Sequence, residues 1–203
     1  MAQEIINIGT VANDGTGEAI RLAFEKANRM FDELYAVPAP AAYVRPADWL
    51  TMPVLEQGDQ QWSGLFPVND AEGNFCAILA TTDDVGYTVD WGDGSTPEDI
   101  ASGVKAEHEF IYSTIVQTPS TRGYKQSIVT VTPQSTENLI TVNCAVLHSN
   151  ISASGWDAVK WLDIVCAGSS LTYFNPYDGI ADSVFSGLLE QFTFIGTNLC
   201  TDF

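Results

Sequence analysis

The chain has 203 residues, of which 45% are hydrophobic and 11% aromatic, so it carries material for a real core and is not composed like a disordered segment. Its formal charge is −18, with only eight Lys plus Arg, and a surface that acidic repels phosphate backbones, which excludes nucleic acid as an expected partner. No apolar run is long enough to cross a bilayer, so membrane insertion is not expected.

The first ten residues, MAQEIINIGT, lack the basic and apolar regions of a secretion signal, and the expectation is a chain made and assembled inside a cell. A polar arm follows. Asn13, Asp14, Gly15, Thr16 and Gly17 combine turn formers with two glycines, a composition for a tight turn whose N–H groups are satisfied by Asn and Asp side chains. Thr16 or Gly17 is placed to cap the next helix, with Glu18 in its first turn, where the helix dipole favours a negative charge.

The predicted helix runs to about Tyr35 and stops before Pro38. Ile20, Ala23, Ala27, Met30, Leu34 and Val37 follow alternating steps of three and four, an a/d stripe, and Phe24 and Phe31 widen it on one flank. Arg21, Glu25, Arg29 and Asp32 occupy the opposite face, where i,i+4 pairs contribute only about 0.2–0.5 kcal/mol each. Burying one large apolar side chain contributes roughly 1.5–3 kcal/mol, so the stripe dominates wherever it finds a partner. Two partners are open: the chain's own β-structure, or sister copies in a short parallel bundle, most simply a trimer. The second is preferred, because Pro38, Pro40, Pro46 and Pro53 make the following stretch a stiff spacer. The oligomerisation residues are then Ile20, Ala23, Phe24, Ala27, Met30, Phe31 and Leu34.

Residues 57–147 read as β-structure. NFCAILATT, GYTVDWGDGST, AEHEFIY, KQSIVTVTP and NLITVNCAVL are short, rich in β-branched and aromatic residues, and bounded by turns, which suggests a sandwich. From 148 onward, VKWLDIVCAGSSLTYF and LEQFTFIGTNLCTDF look like two versions of one unit. Their cores, Leu162/Ile164 and Phe192/Phe194, lie 30 residues apart, a solenoid-like spacing. The second unit ends on Phe203 without a polar cap, so the expectation is a chain that is longer in nature. Cys76, Cys144, Cys166 and Cys200 form no CxxC pair and read as buried thiols.

The front segment resembles the N-terminal module of bacteriophage tail-fibre and virion appendage proteins. The shared residues are Asn7-Ile8-Gly9-Thr10, Asn13-Asp14-Gly15-Thr16-Gly17, Arg21, Ala23-Phe24, Lys26, Asn28, Phe31 and Glu33-Leu34. Where relatives carry Asp-Pro after the last Gly, this chain has Glu18-Ala19. The resemblance implies a virion protein attached to the particle through Asn7 to Thr10 and Asn13 to Gly17, usually as a trimer. In the middle, YTVDWGDGS, AEHEF and GYKQSIVTVTP look like a PKD-type immunoglobulin-like domain, with Trp91, His108 and Phe110 as core or sheet residues and an insertion between His108 and Tyr124. Such a domain followed by leucine-containing repeats is similar to the BspA-like surface-protein arrangement.

Enzyme signatures are few. GxSxG, HExxH and the P-loop are missing from the sequence. Asp90 and Asp93 can be turn residues that bond N–H groups beside Gly92 and Gly94, ligands of a weak Ca²⁺ site, or a carboxylate pair for glycoside hydrolysis, and the turn is preferred. No cofactor is expected, and no confident metal site. Tyr173 and its neighbours in AGSSLTYFNPYDG could meet a sugar by aromatic stacking.

The expected architecture is therefore mainly β: residues 1–36 an anchoring arm and trimerisation helix, 37–56 a linker, 57–147 a PKD-like sandwich, and 148–203 the start of a solenoid-like repeat region. The expected function is a non-enzymatic virion protein, a phage tail or head fibre, binding other virion proteins at its front and a host surface glycan or protein at its far end. A BspA-like bacterial adhesin is the alternative, and a fibre carrying a glycan depolymerase the third.

Overall fold

A computed structural model of the chain describes residues 15–17, 19–35, 42–70, 73–151, 160–175 and 189–196. It divides into two compact units, 1–44 and 45–203.

In the first unit, α1 spans Ile20–Tyr35. It starts later than the capping residues suggest. The carbonyl of Ala19 accepts the N–H groups of Leu22 (2.8 Å) and Ala23 (3.1 Å), so Ala19 occupies the cap position in place of Thr16 or Gly17. No acid stands in its first turn, and Glu18 lies outside the described residues. Gly15 has φ +72°, the left-handed conformation that the predicted turn needs.

The second unit is two β-sheets packed face to face. Its strands are β1 (Gln61–Val68), β2 (Phe75–Thr82), β3 (Gly86–Asp90), β4 (Glu98–Ala101), β5 (Lys105–Glu109), β6 (Lys125–Pro133), β7 (Leu139–Asn143), β8 (Asp163–Ala167), β9 (Tyr173–Asn175) and β10 (Gln191–Ile195). The larger sheet has the order β10-β8-β1-β6-β3-β4, and the smaller one β5-β2-β7-β9. Alternate residues of both sheets meet between them: Trp62, Phe66 and Val68 of β1, Val129 and Val131 of β6, Ile78 and Ala80 of β2, and Val142 of β7. Trp161 closes this core edge-on to Trp62 at 4.8 Å, and its Nε1 donates to the Cys144 carbonyl at 2.8 Å.

Part of the outer face of the larger sheet, over β1 and β8, is covered too. Residues 45–55, expected to be part of a free linker, lie against it instead. Trp49 packs with Leu65, Tyr124 and Leu162, and Leu55 with Val165 and Ala167. Side chains tie the strap down. Arg45 Nε donates to Asp163 (2.7 Å), and Trp49 Nε1 to the Tyr124 hydroxyl (2.9 Å). The Gln126 amide accepts from Leu50 N–H (2.8 Å) and donates to the Asp48 carbonyl (2.9 Å), standing in for a backbone partner. The boundary between units therefore falls at Val44, within the expected 37–56 linker. The insertion between β5 and β6 is anchored as well: Ile115 is buried, and Lys125 Nζ donates to the carbonyls of Tyr112 and Ile115 (3.0 and 2.6 Å).

Residues beyond 148 do not stand apart from the sandwich. β8 pairs antiparallel with β1, and β10 pairs parallel with β8. In the smaller sheet β9 pairs parallel with β7. Strands β7 to β10 thus alternate between the sheets, and β9 and β10 each lie parallel beside the strand two before them. Ile164 stands opposite Phe192, not Leu162 as the motif alignment suggested, and Phe174 of β9 stacks on Phe192 across the two sheets at 5.0 Å.

Candidate functional site

Two places carry the residues singled out by sequence. The first is α1. Ile20, Phe24 and Phe31 are 76%, 62% and 54% exposed, Leu22 is 44% exposed, and Ala23, Ala27 and Met30 are half-buried. The Leu34 side chain, and the anchoring residues Asn7, Ile8, Gly9, Thr10, Asn13 and Asp14, lie outside the described residues. Gly15, Thr16 and Gly17 are exposed.

The second is the DWGDG corner after β3. Asp90 Oδ1 accepts Gly92 N–H (2.9 Å). Asp93 Oδ1 accepts both the N–H (3.0 Å) and the hydroxyl (2.6 Å) of Ser95, while its Oδ2 bonds His108 Nε2 at 2.8 Å. Gly92 and Gly94 have φ +73° and +92°. The corner is thereby pinned to β5, and the His108 ring stacks on Trp91 at 4.8 Å and 11°. Trp91 is fully buried, donates through Nε1 to Glu98 (2.9 Å), and its carbonyl accepts the Ser127 hydroxyl (2.6 Å). Burial raises the Asp93 pKa, but the two Ser95 bonds and His108 outweigh it and hold the carboxyl below its ordinary range.

Comparison with family models, curated proteins and solved structures finds no match.

Chemically, the corner is a fastening. Both Asp93 oxygens are engaged by Ser95 and His108, and among the described residues no group of three or more His, Cys, Asp or Glu is placed to hold a metal ion. The pair Asp90 and Asp93 therefore closes turns in this geometry. Glu98 and Asp99, the rest of the acidic stretch, lie in β4, where Asp99 accepts the Thr88 hydroxyl at 2.6 Å. Cys76, Cys144 and Cys166 are buried, and burial pushes the thiols of Cys76 and Cys144 up, away from reactivity. Cys200 lies outside the described residues. Tyr173, in β9, is 38% exposed, and the loop after Asn175 lies outside them too.

Sequence reading did not find the carboxylate clamps. Glu137 accepts the N–H of Val85 (2.7 Å), and those of Asp84 and Gly86 at longer range, which lowers its pKa. Glu107 accepts the N–H and hydroxyl of Ser149 (2.6 and 2.8 Å) and an ion pair from Lys105. Burial opposes ionisation there, but Lys105 and Ser149 prevail and bring the Glu107 pKa from 4.5 to about 2. The clamped groups lie 42 positions from Glu107 and 51 to 53 from Glu137, so nothing local in the sequence marks either clamp.

A carboxyl whose folded pKa is depressed adds stability above its unfolded pKa and forfeits it as pH falls through the folded one. Melting temperature should therefore drop between about pH 4.5 and 2. Glu107→Gln should lower it by roughly 2 °C at pH 6, since a partly exposed pair is worth about 0–1 kcal/mol, and leave it unchanged at pH 2. Thermal melts at the two pH values, at one ionic strength, check this; an equal loss at both would remove the ion pair as the cause.

Proposed function

We propose that this chain is a structural protein of a bacteriophage particle, a tail or head fibre, whose arm attaches it to other virion proteins and whose α1 joins it to two sister copies. One observation carries the reading. The apolar side chains of Ile20, Phe24 and Phe31 remain 76%, 62% and 54% exposed, in a helix whose length is marginal in water by itself. Such a helix gains most by burying its stripe against copies of itself. The density of shared residues between Asn7 and Leu34 supports the virion setting.

The sandwich is then a PKD-like body presented toward a host surface glycan or protein, and the reading is non-enzymatic. Three linked copies turn weak single contacts into avidity through effective concentration. The alternating parallel strands β7 to β10 support the idea that the far end begins a solenoid-like winding. That same winding is what favours the second reading, a BspA-like surface adhesin. The two separate at the arm. Deleting Met1 to Gly17 should abolish incorporation of the protein into particles assembled in infected cells, read by immunoblot of purified virions. Normal incorporation would refute the anchoring role.

A further inference from the structure

Among the described residues the two sheets present four edge strands, and three of them are closed to further pairing. β4 has four residues and carries Glu98 and Asp99. β5 carries Lys105, Glu107 and Glu109, and the segment at Leu147–Ser149 is bonded to it through Lys105 Nζ (2.9 Å) and Glu107 (2.6 Å). β9 has only three residues. Short, charged or covered edges are how soluble β-proteins avoid joining strange strands.

β10 has none of these devices. Its sequence, Gln-Phe-Thr-Phe-Ile, holds no charge and no proline, and Phe192 is 38% exposed. Among the described residues its ladder partner is β8 alone. Glu190 N–H donates to the Leu162 carbonyl at 2.9 Å. Gln191 N–H reaches the same carbonyl at 3.4 Å, and since Asp163 and Val165 pair with Leu65 and Ser63 of β1, it is Leu162, Ile164 and Cys166 that turn to β10 and take the N–H groups of Gln191, Thr193 and Ile195, while those of Phe192 and Phe194 face the open side.

Beside that edge, on the outer face of the sheet, runs a groove of about 290 Å³. Val165, Thr193 and Ile195 floor it, Met52 and Leu55 wall it, and Asp163 stands at one end. Asp163 is 3% exposed. Its Oδ2 accepts Arg45 Nε at 2.7 Å, while its Oδ1 accepts no hydrogen bond among the described residues. A carboxylate oxygen so placed offers a strong acceptor to any cation that reaches it over an aliphatic floor.

We propose that β10 and this groove accept an extended segment of a partner protein as an added strand, apolar on its inward face and carrying a lysine or arginine on its outward face. The inward side chains continue the Phe174/Phe192 stack. The outward one lays its stem over Val165 and Ile195 and reaches Asp163. A second copy of this chain fits less well: its β10 brings no cation, and two chains of −18 repel. The proposal is independent of the fibre reading.

The probe is a fluorescein-labelled seven-residue peptide alternating valine and lysine, titrated into the full chain at physiological salt and read by anisotropy. It should bind saturably, and a version with glutamate for lysine should not. Of the two lysine peptides N-methylated at alternate backbone nitrogens, the one that loses its ladder donors should bind about tenfold more weakly, with the protein itself unchanged. Asp163→Asn should weaken the lysine peptide and leave a norleucine peptide unchanged. Hydrogen exchange on the unaltered protein needs no variant: the peptide should slow the amides of Phe192 and Phe194 and leave those of Thr193 and Ile195 as they were. Equal affinity for both N-methylated peptides and their parent, together with unslowed amides, would reduce the attraction to general charge and overturn the proposal. So would Phe192 and Phe194 amides that are slow before any peptide is added, whether dilution then speeds them, meaning that a second copy holds the edge, or leaves them slow, meaning that the chain covers its own edge.

Discussion

Replacing Ile20, Ala27 and Leu34 together with aspartate should cut the mass in light scattering about threefold, from trimer to monomer. Each Asp takes the place of a stripe side chain, and burying a large apolar one contributes roughly 1.5–3 kcal/mol. An ionised Asp in that seam would bring three like charges together in every layer of the bundle, away from water. The residues set against this are few, since exposed ion pairs on the other face add only about 0.2–0.5 kcal/mol each. The sandwich carries its own core in residues 45–203, so its thermal transition should stay where it is. An unchanged mass would put the interface elsewhere, and a monomeric unaltered protein would end the trimer reading.

Trp91→Ala should cost about 3–5 kcal/mol, the usual range for truncating a buried tryptophan, against a total stability of about 5–15 kcal/mol for a domain. The side chain is fully buried, stacks on His108, meets Phe110 edge-on at 6.4 Å and bonds Glu98. Its loss opens a cavity and strips support from the His108–Asp93 bond at once. Gly92→Ala should be at least as damaging. At φ +73° an L-residue is strained, and its Cβ would press on the carbonyl of Ile128 and the hydroxyl of Ser127 in the neighbouring strand. Urea titrations followed by far-ultraviolet circular dichroism measure both. A loss below about 1 kcal/mol for Trp91→Ala would show that the corner is peripheral to stability.

Much of the sandwich was legible. β2, β3, β5, β6 and β7 alternate loosely and end at turns, because one face of each meets the core and the other is more open. β1 was not singled out, and the reason is physical. Trp62, Phe66 and Val68 face the smaller sheet, Leu65 meets the strap, and Ser63 bonds Thr130 at 3.1 Å, so both faces are buried and no period of two survives. β4 hid inside an acidic run, since an edge strand can carry Glu98 and Asp99 when Trp91 and Thr88 bond them.

The likeness of the two late motifs was visible, but not where they dock. β8 reaches its place by pairing with β1, a hundred residues earlier, and Asp163 is held by Arg45, 118 positions away. Nothing local announces such partners. The helix stripe was plain from spacing alone, whereas its true start was not: capping residues at Thr16 and Gly17 were present, and the chain enters the helix at Ala19 regardless.

The strap at residues 45–55 bears on how the molecule takes load. A tether pulled from its front end would transmit tension first to the strap, which is held by a handful of side-chain bonds, whereas β1 is laced to neighbours along both edges. Peeling it off would release at most about 36–40 Å of contour, while both sheets stay intact. When the pull relaxes, Arg45, Trp49 and Leu55 have their seats waiting, so the segment can give and reset before either sheet yields.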